Sequence, residues 1–240
     1  MKLLSSVMGF LMLASASNAA PAEPGTDTVV LVHGLGRTKF SMAGLERHLG
    51  REGFRVINHG YRSTRQSIEA STGELRRALE EKAPGRGGQV HFVTHSLGGI
   101  IVRAFLKEHR PENLGRVVML GPPNQGSEVA DKLRDNLLYQ WATGPAGQQL
   151  GTASDSAPNR LGPVDFPAGV IAGNRGLNPL FAAWIDGPDD GKVGVARTRV
   201  GGMADFLVVP RSHTHIMRCR RVMAQVARFL REGRFDHHPA

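Results

Sequence analysis

Val90-His91-Phe92-Val93-Thr94-His95-Ser96-Leu97-Gly98-Gly99-Ile100 is the stretch that decides the fold. A β-branched, apolar run ends in a polar triplet, and a helix-forming run starts one residue after the serine. That leaves room only for a tight turn with Ser96 at its apex, its hydroxyl projecting above a sheet edge. Such a turn presses its neighbours against the backbone, so small residues are needed two positions to either side. Gly98 meets the need, with Gly99 beside it. Thr94 stands where the G-x-S-x-G pattern has glycine, so four of its five positions match.

Outward from this turn, strand-like and helix-like runs alternate. Apolar strands are expected over 28–32, 54–57, 90–94, 117–120, 170–172 and 206–209. Helical spacing is expected over 40–51, 66–82, 97–108 and 128–141, with a last apolar face formed by Ile216, Cys219, Met223, Val226 and Leu230. Strands that are apolar throughout are buried on both faces. The fold class is therefore α/β, a mostly parallel sheet flanked by helices. Val129, Leu133, Leu137 and Trp141 recur every four residues, and 144–167 reads as a loop rich in Gly, Pro and Ser. A loop that long is unusual unless functional, so a small cap insertion is expected over about 127–167, its apolar stripe serving as core or as an acyl pocket.

A serine hydroxyl is a poor nucleophile unaided and needs a base and an orienting carboxylate, here after later strands in the order Ser, acid, His. Asp190-Gly191-Lys192-Val193 and Ser212-His213-Thr214 occupy those places, which makes Ser96, Asp190 and His213 the candidate catalytic residues. Asp189 competes with Asp190, and the Asp-x-x-Val spacing favours the latter; Asp186 lacks it, and Asp205 is likewise a weaker rival. His213 lies nearer its strand than His215. The His-x-His pair lacks a third metal ligand, so no metal site is expected. Attack on a carbonyl also requires backbone N–H donors for the developing oxyanion. Leu97, at the helix start, supplies one. Leu35, within His33-Gly34-Leu35-Gly36 after the first strand, supplies the other. His33 is expected to brace that loop, and His95 to point off the opposite side of the turn from the nucleophile as a packing or hydrogen-bonding residue.

These segments, with Leu120-Gly121-Pro122-Pro123-Asn124-Gln125-Gly126-Ser127, resemble the α/β-hydrolase superfamily, and within it the bacterial secreted lipases and lipase-like esterases. The resemblance spans about 28–232. It implies an α/β-hydrolase fold, hydrolysis of esters with apolar acyl groups through a covalent acyl-enzyme, and no organic cofactor. It also implies Ser96 as nucleophile, His213 as base, Asp190 as its orienter, and Leu35 and Leu97 as oxyanion donors. No calcium motif maps onto the chain.

Composition sets the outer bounds. The 240 residues are 40% hydrophobic, and a single cysteine excludes an internal disulfide and any four-thiolate metal site. Lys2, an apolar run over 3–14 and Ser17-Asn18-Ala19 read as a secretory signal cut near Ala19, leaving 20–240 as one exported domain in the periplasm or medium. The net charge of +9 comes mostly from scattered arginines, nine of them between Arg197 and Arg234. That pattern suits a solvated basic surface or contact with anionic lipid headgroups. Nothing in it points to nucleic acid, for no zinc finger or aromatic RNA-binding motif accompanies the charge.

Overall fold

A computed structural model describes residues 25–82, 87–176 and 179–238. The expected signal segment lies outside them. Six strands form one sheet: β1 (Thr28–Val32), β2 (Arg55–His59), β3 (Val90–His95), β4 (Leu114–Leu120), β5 (Ala168–Gly173) and β6 (Asp205–Val209). Their order is β2-β1-β3-β4-β5-β6, and every pairing is parallel. The side-chain period of two sends Val30 and Val32 to one face of β1 and Val29 and Leu31 to the other. Helices α2 (Ile68–Lys82) and α3 (Leu97–Glu108) cover the first face. Helices α1 (Ala43–Arg51) and α9 (Arg220–Glu232) cover the second, α9 through Val222, Val226, Phe229 and Leu230. Strand order reverses between β1 and β3, and a crevice opens at the carboxyl ends of strands at such a switch point.

Between β4 and β5 run α4 (Glu128–Leu133), α5 (Leu137–Gln148) and α6 (Ala157–Arg160). The single helix expected over 128–141 is broken. The Asn136 side chain accepts from Tyr139 N–H at 3.0 Å and starts a new helix there. The break swings the apolar stripe apart. Val129 is buried, whereas Leu137, Leu138 and Trp141 face solvent, Trp141 being 85% exposed. Within α5, Gly144 (φ +61) lies so close to the Thr64 carbonyl that a Cβ there would collide with it. Arg103 of α3, buried, donates to the carbonyls of Asn124, Pro158 and Gly162 and so ties this insertion to the body.

Smaller departures also have local causes. Phe40 heads a 3-10 turn (Lys39–Met42), not an α-helix, and stands exposed while Met42 is buried. β4 starts at Leu114, three residues before its apolar run, because Leu114 pairs with Val90 across an irregularity in register. Cys219 is half-buried just ahead of α9, not within its apolar face. Between β5 and β6 lie α7 (Pro179–Ala182) and α8 (Val195–Thr198).

Four histidines, at 33, 59, 91 and 95, are buried, and burial lowers the pKa of each. His59 falls from 6.5 to about 4, although nearby Glu74 opposes the shift. Below pH 6.5 the unfolded chain therefore binds protons that the folded chain refuses, so stability is complete above that pH and drains away toward pH 4. The urea midpoint is expected to drop on acidification through this window, and His59→Leu to flatten the slope. A midpoint independent of pH across the window would refute the linkage.

Candidate active site

Ser96 occupies the turn between β3 and α3 with φ +52 and ψ −123, the one non-glycine residue with positive φ among those described. A backbone in this region costs about 1–3 kcal/mol and persists only where its surroundings hold it. They do so here: Ser96 N–H donates to Leu120 O on β4, and Gly99 N–H to Ser96 O, both at 2.9 Å. Gly98 packs so closely on the Val32 and His33 carbonyls that any side chain would strike them. Thr94 is buried, and Gly99 makes space for it, since a Cβ on residue 99 would come within 3.3 Å of Thr94 Oγ1. Threonine is accommodated where glycine is usual because its neighbour across the turn is small.

The chain then brings together residues far apart in sequence. His213, in the loop after β6, places Nε2 2.9 Å from Ser96 Oγ and Nδ1 2.7 Å from Asp190 Oδ2. With Nδ1–H donating to the carboxylate, Nε2 is left to accept from the serine hydroxyl. Asp190 Oδ1 accepts the N–H groups of Lys192 at 3.0 Å and Val193 at 2.9 Å, so both carboxylate oxygens are engaged. The three residues are all at least nine-tenths buried. Main-chain bonds support the side-chain ones. His213 N–H donates to Asp190 O at 2.8 Å, and its carbonyl accepts from His95 Nε2 at 2.9 Å.

The competing residues lie elsewhere or are otherwise occupied. Asp189 turns its carboxylate back onto Gly191 N–H at 2.6 Å. Asp205 accepts from Phe206 N–H, Phe235 N–H and His237. Asp186 is exposed. His215 hydrogen-bonds Ser212 Oγ at 2.9 Å. His95 has the packing and hydrogen-bonding place expected of it. It is buried against His213, ring centroids 4.8 Å apart, and burial holds its pKa well below the usual value, with His213 adding to the effect.

The loop after β1 is clamped from β2. His33 Nδ1–H donates to Gly34 O at 2.9 Å, its ring stacks on Tyr61 at 4.3 Å, and the Tyr61 hydroxyl donates to His33 O at 2.7 Å. Ser63 Oγ accepts Gly36 N–H at 3.1 Å. Gly34 lets this loop press onto the turn: a Cβ on it would lie 3.0 Å from Ser96 Cβ. Among the described residues, neither Leu35 N–H nor Leu97 N–H is engaged in a hydrogen bond. Tyr61 and Ser63 escaped sequence reasoning because they sit in a loop with no motif of its own.

Ser96 and His213 open onto a cavity of about 310 Å³. Its apolar wall includes Leu35, Val129, Ala130, Tyr139, Ala142 and Leu150, and the side chains of Arg37 and Lys192 also line it. Lys192 lies inside a segment quoted from the sequence and Arg37 directly follows another, yet only the fold brings them to one cavity. Among the described residues no group of three His, Cys, Asp or Glu stands ready to hold a metal ion, and no helix is long and apolar enough to cross a membrane.

A family described as alpha/beta hydrolase fold matches residues 27–165, more than half of the sequence. The chain belongs to the α/β-hydrolase family. Among solved structures it is similar to the phospholipase PlaB from Legionella pneumophila, with TM-score 0.71 and 19% identity, over 88% of this chain and 60% of that one. It is similar to the mature Bacillus licheniformis lipase BlEst2, with TM-score 0.65 and 20% identity, over 84% of this chain and 89% of that one. The metagenomic carboxyl esterase MGS0156 follows at TM-score 0.64 and 18% identity, over 85% and 71% respectively. At these identities the likeness is one of fold, and the chain spans only 60% of the phospholipase's length. No curated protein matches the sequence significantly.

Proposed function

We propose that the protein is a serine hydrolase of lipase or carboxylesterase type that cleaves carboxylic esters through an acyl-enzyme. The observation that carries this reading is the continuous path from Ser96 Oγ through the His213 ring to Asp190, at 2.9 and 2.7 Å, opening onto a largely apolar cavity. His213 removes the hydroxyl proton as Ser96 attacks the ester carbonyl, and Asp190 steadies the imidazolium that forms. The oxyanion is received by the Leu35 and Leu97 N–H groups, each such donor being worth about 3 kcal/mol of barrier. His213 then protonates the departing alcohol, and water repeats the sequence on the acylated serine.

In this reading the segment 127–167 is a small cap whose inner residues, Val129, Tyr139 and Leu150, receive the acyl chain. Lipase and esterase relatives of similar fold support the assignment. A fluorophosphonate reagent is expected to label Ser96 stoichiometrically, as read by peptide mass spectrometry, and to stop hydrolysis of a p-nitrophenyl ester series. Labelling elsewhere, or no turnover of any chain length, would remove the assignment.

A further inference from the structure

We propose that Arg37 and Lys192 form an anion-binding subsite within the candidate active-site cavity, so that its preferred ligands join an apolar chain to a phosphate or carboxylate group. For substrates this rests on the ester-hydrolase reading; as a binding site it stands without it. The two side chains arrive from opposite parts of the machinery. Arg37 follows Leu35 by two residues, and its Nη2 donates to Thr214 Oγ1 at 3.0 Å, which holds the guanidinium beside the His213 loop. Lys192 belongs to the turn of Asp190: its N–H donates to Asp190 Oδ1, and its carbonyl accepts from Ser127 Oγ at 2.9 Å. The Arg37 guanidinium and the Lys192 backbone are thus held, and both residues line the cavity.

Neither cation is in an ion pair among the described residues. The carboxylate that acts on Lys192 is that of Asp190, whose oxygens are already taken by His213 and two amides. Lys192 reaches solvent at the cavity's edge; partial desolvation there lowers its pKa, the Arg37 charge lowers it further, and Asp190 opposes both. Two like charges that line one cavity and feel each other, neither in an ion pair, are an unfavourable arrangement that an incoming anion relieves. The rest of the lining is mainly aliphatic and aromatic, which no free inorganic ion would need. The shape of the demand is a negatively charged head on an apolar tail.

The test is calorimetric titration of the whole protein with octyl phosphate, octanoate and the uncharged octyl glucoside. Binding of at least one anionic ligand is expected to be about ten-fold tighter than that of the glucoside. Inorganic phosphate is expected to weaken octyl phosphate binding by competition, which separates the headgroup's contribution from the tail's. The advantage of the anion should collapse in Lys192→Met and in Arg37→Gln, and return in Lys192→Arg. Equal binding of charged and uncharged ligands, or an advantage that survives the double substitution, overturns the proposal.

A kinetic arm separates this proposal from the one beneath it. The kcat/KM of a p-nitrophenyl ester with a terminal carboxylate, divided by that of its uncharged counterpart, should fall about ten-fold in Lys192→Met. Ser96-dependent turnover with an unchanged ratio sinks the subsite alone. Anion binding that depends on Lys192, without Ser96-dependent turnover of any ester, sinks the hydrolase reading and leaves the subsite standing.

Discussion

Ser96→Ala is expected to lower kcat on p-nitrophenyl butyrate by at least about 10⁴-fold while the protein remains folded. The magnitude follows from the position of the hydroxyl. Among the described residues it is the only group hydrogen-bonded to His213 Nε2, at 2.9 Å, and alanine leaves that base with nothing to activate. What survives is the contribution of unengaged amides and binding, too small to disguise the loss. Stability should move differently. Alanine keeps a Cβ at φ +52, whereas Ser96→Gly removes it, so the glycine variant should be about 1 kcal/mol more stable than the alanine one. Circular dichroism and urea unfolding read the fold, and initial rates read the chemistry. An alanine variant with the parent's rate would dismiss Ser96 as nucleophile.

Asp190→Asn should come close to that loss, about 10⁴-fold in kcat, without removing any atom that reacts. An amide at this position presents an N–H₂ donor to His213 Nδ1 in place of the carboxylate oxygen 2.7 Å away. The imidazole then takes its other tautomer, with the proton on Nε2 and no lone pair for the serine. The neighbouring substitution is the control. Asp189→Asn retains the Oδ1 that accepts Gly191 N–H, so the turn survives and the rate should fall less than about ten-fold. Comparable losses in the two variants would show that the turn's shape, and not the Asp190 carboxylate, matters. A larger loss at residue 189 would reassign the acid.

Much of this arrangement could be read from residues alone, for identifiable reasons. The run from Val90 to Ile100 forces a turn because a strand and a helix leave no linker between them. Asp190 and His213 follow strands whose carboxyl ends must lie near Ser96 in a parallel sheet. Local patterns failed where a neighbour overrode them. The four-residue recurrence from Val129 to Trp141 runs straight across Arg134-Asp135-Asn136, where the helix is actually restarted, so periodicity could not reveal that Leu137 and Trp141 face water. Which partner His95 packs on was not legible, because its direction depends on Gly34 leaving space beside it, a contact between segments about sixty residues apart. Arg37 and Lys192 were hidden among many scattered cations, and their meaning arises only from what the fold leaves unpaired around them.

The main-chain clamp on His213 separates two things usually lost together when an imidazole is replaced. Its N–H is held by the Asp190 carbonyl and its carbonyl by the His95 ring, so the loop has supports that do not run through the His213 ring. Part of the perch therefore does not depend on its occupant. A different side chain installed at position 213 would keep those two main-chain ties opposite residue 96, a partial socket for grafted chemistry.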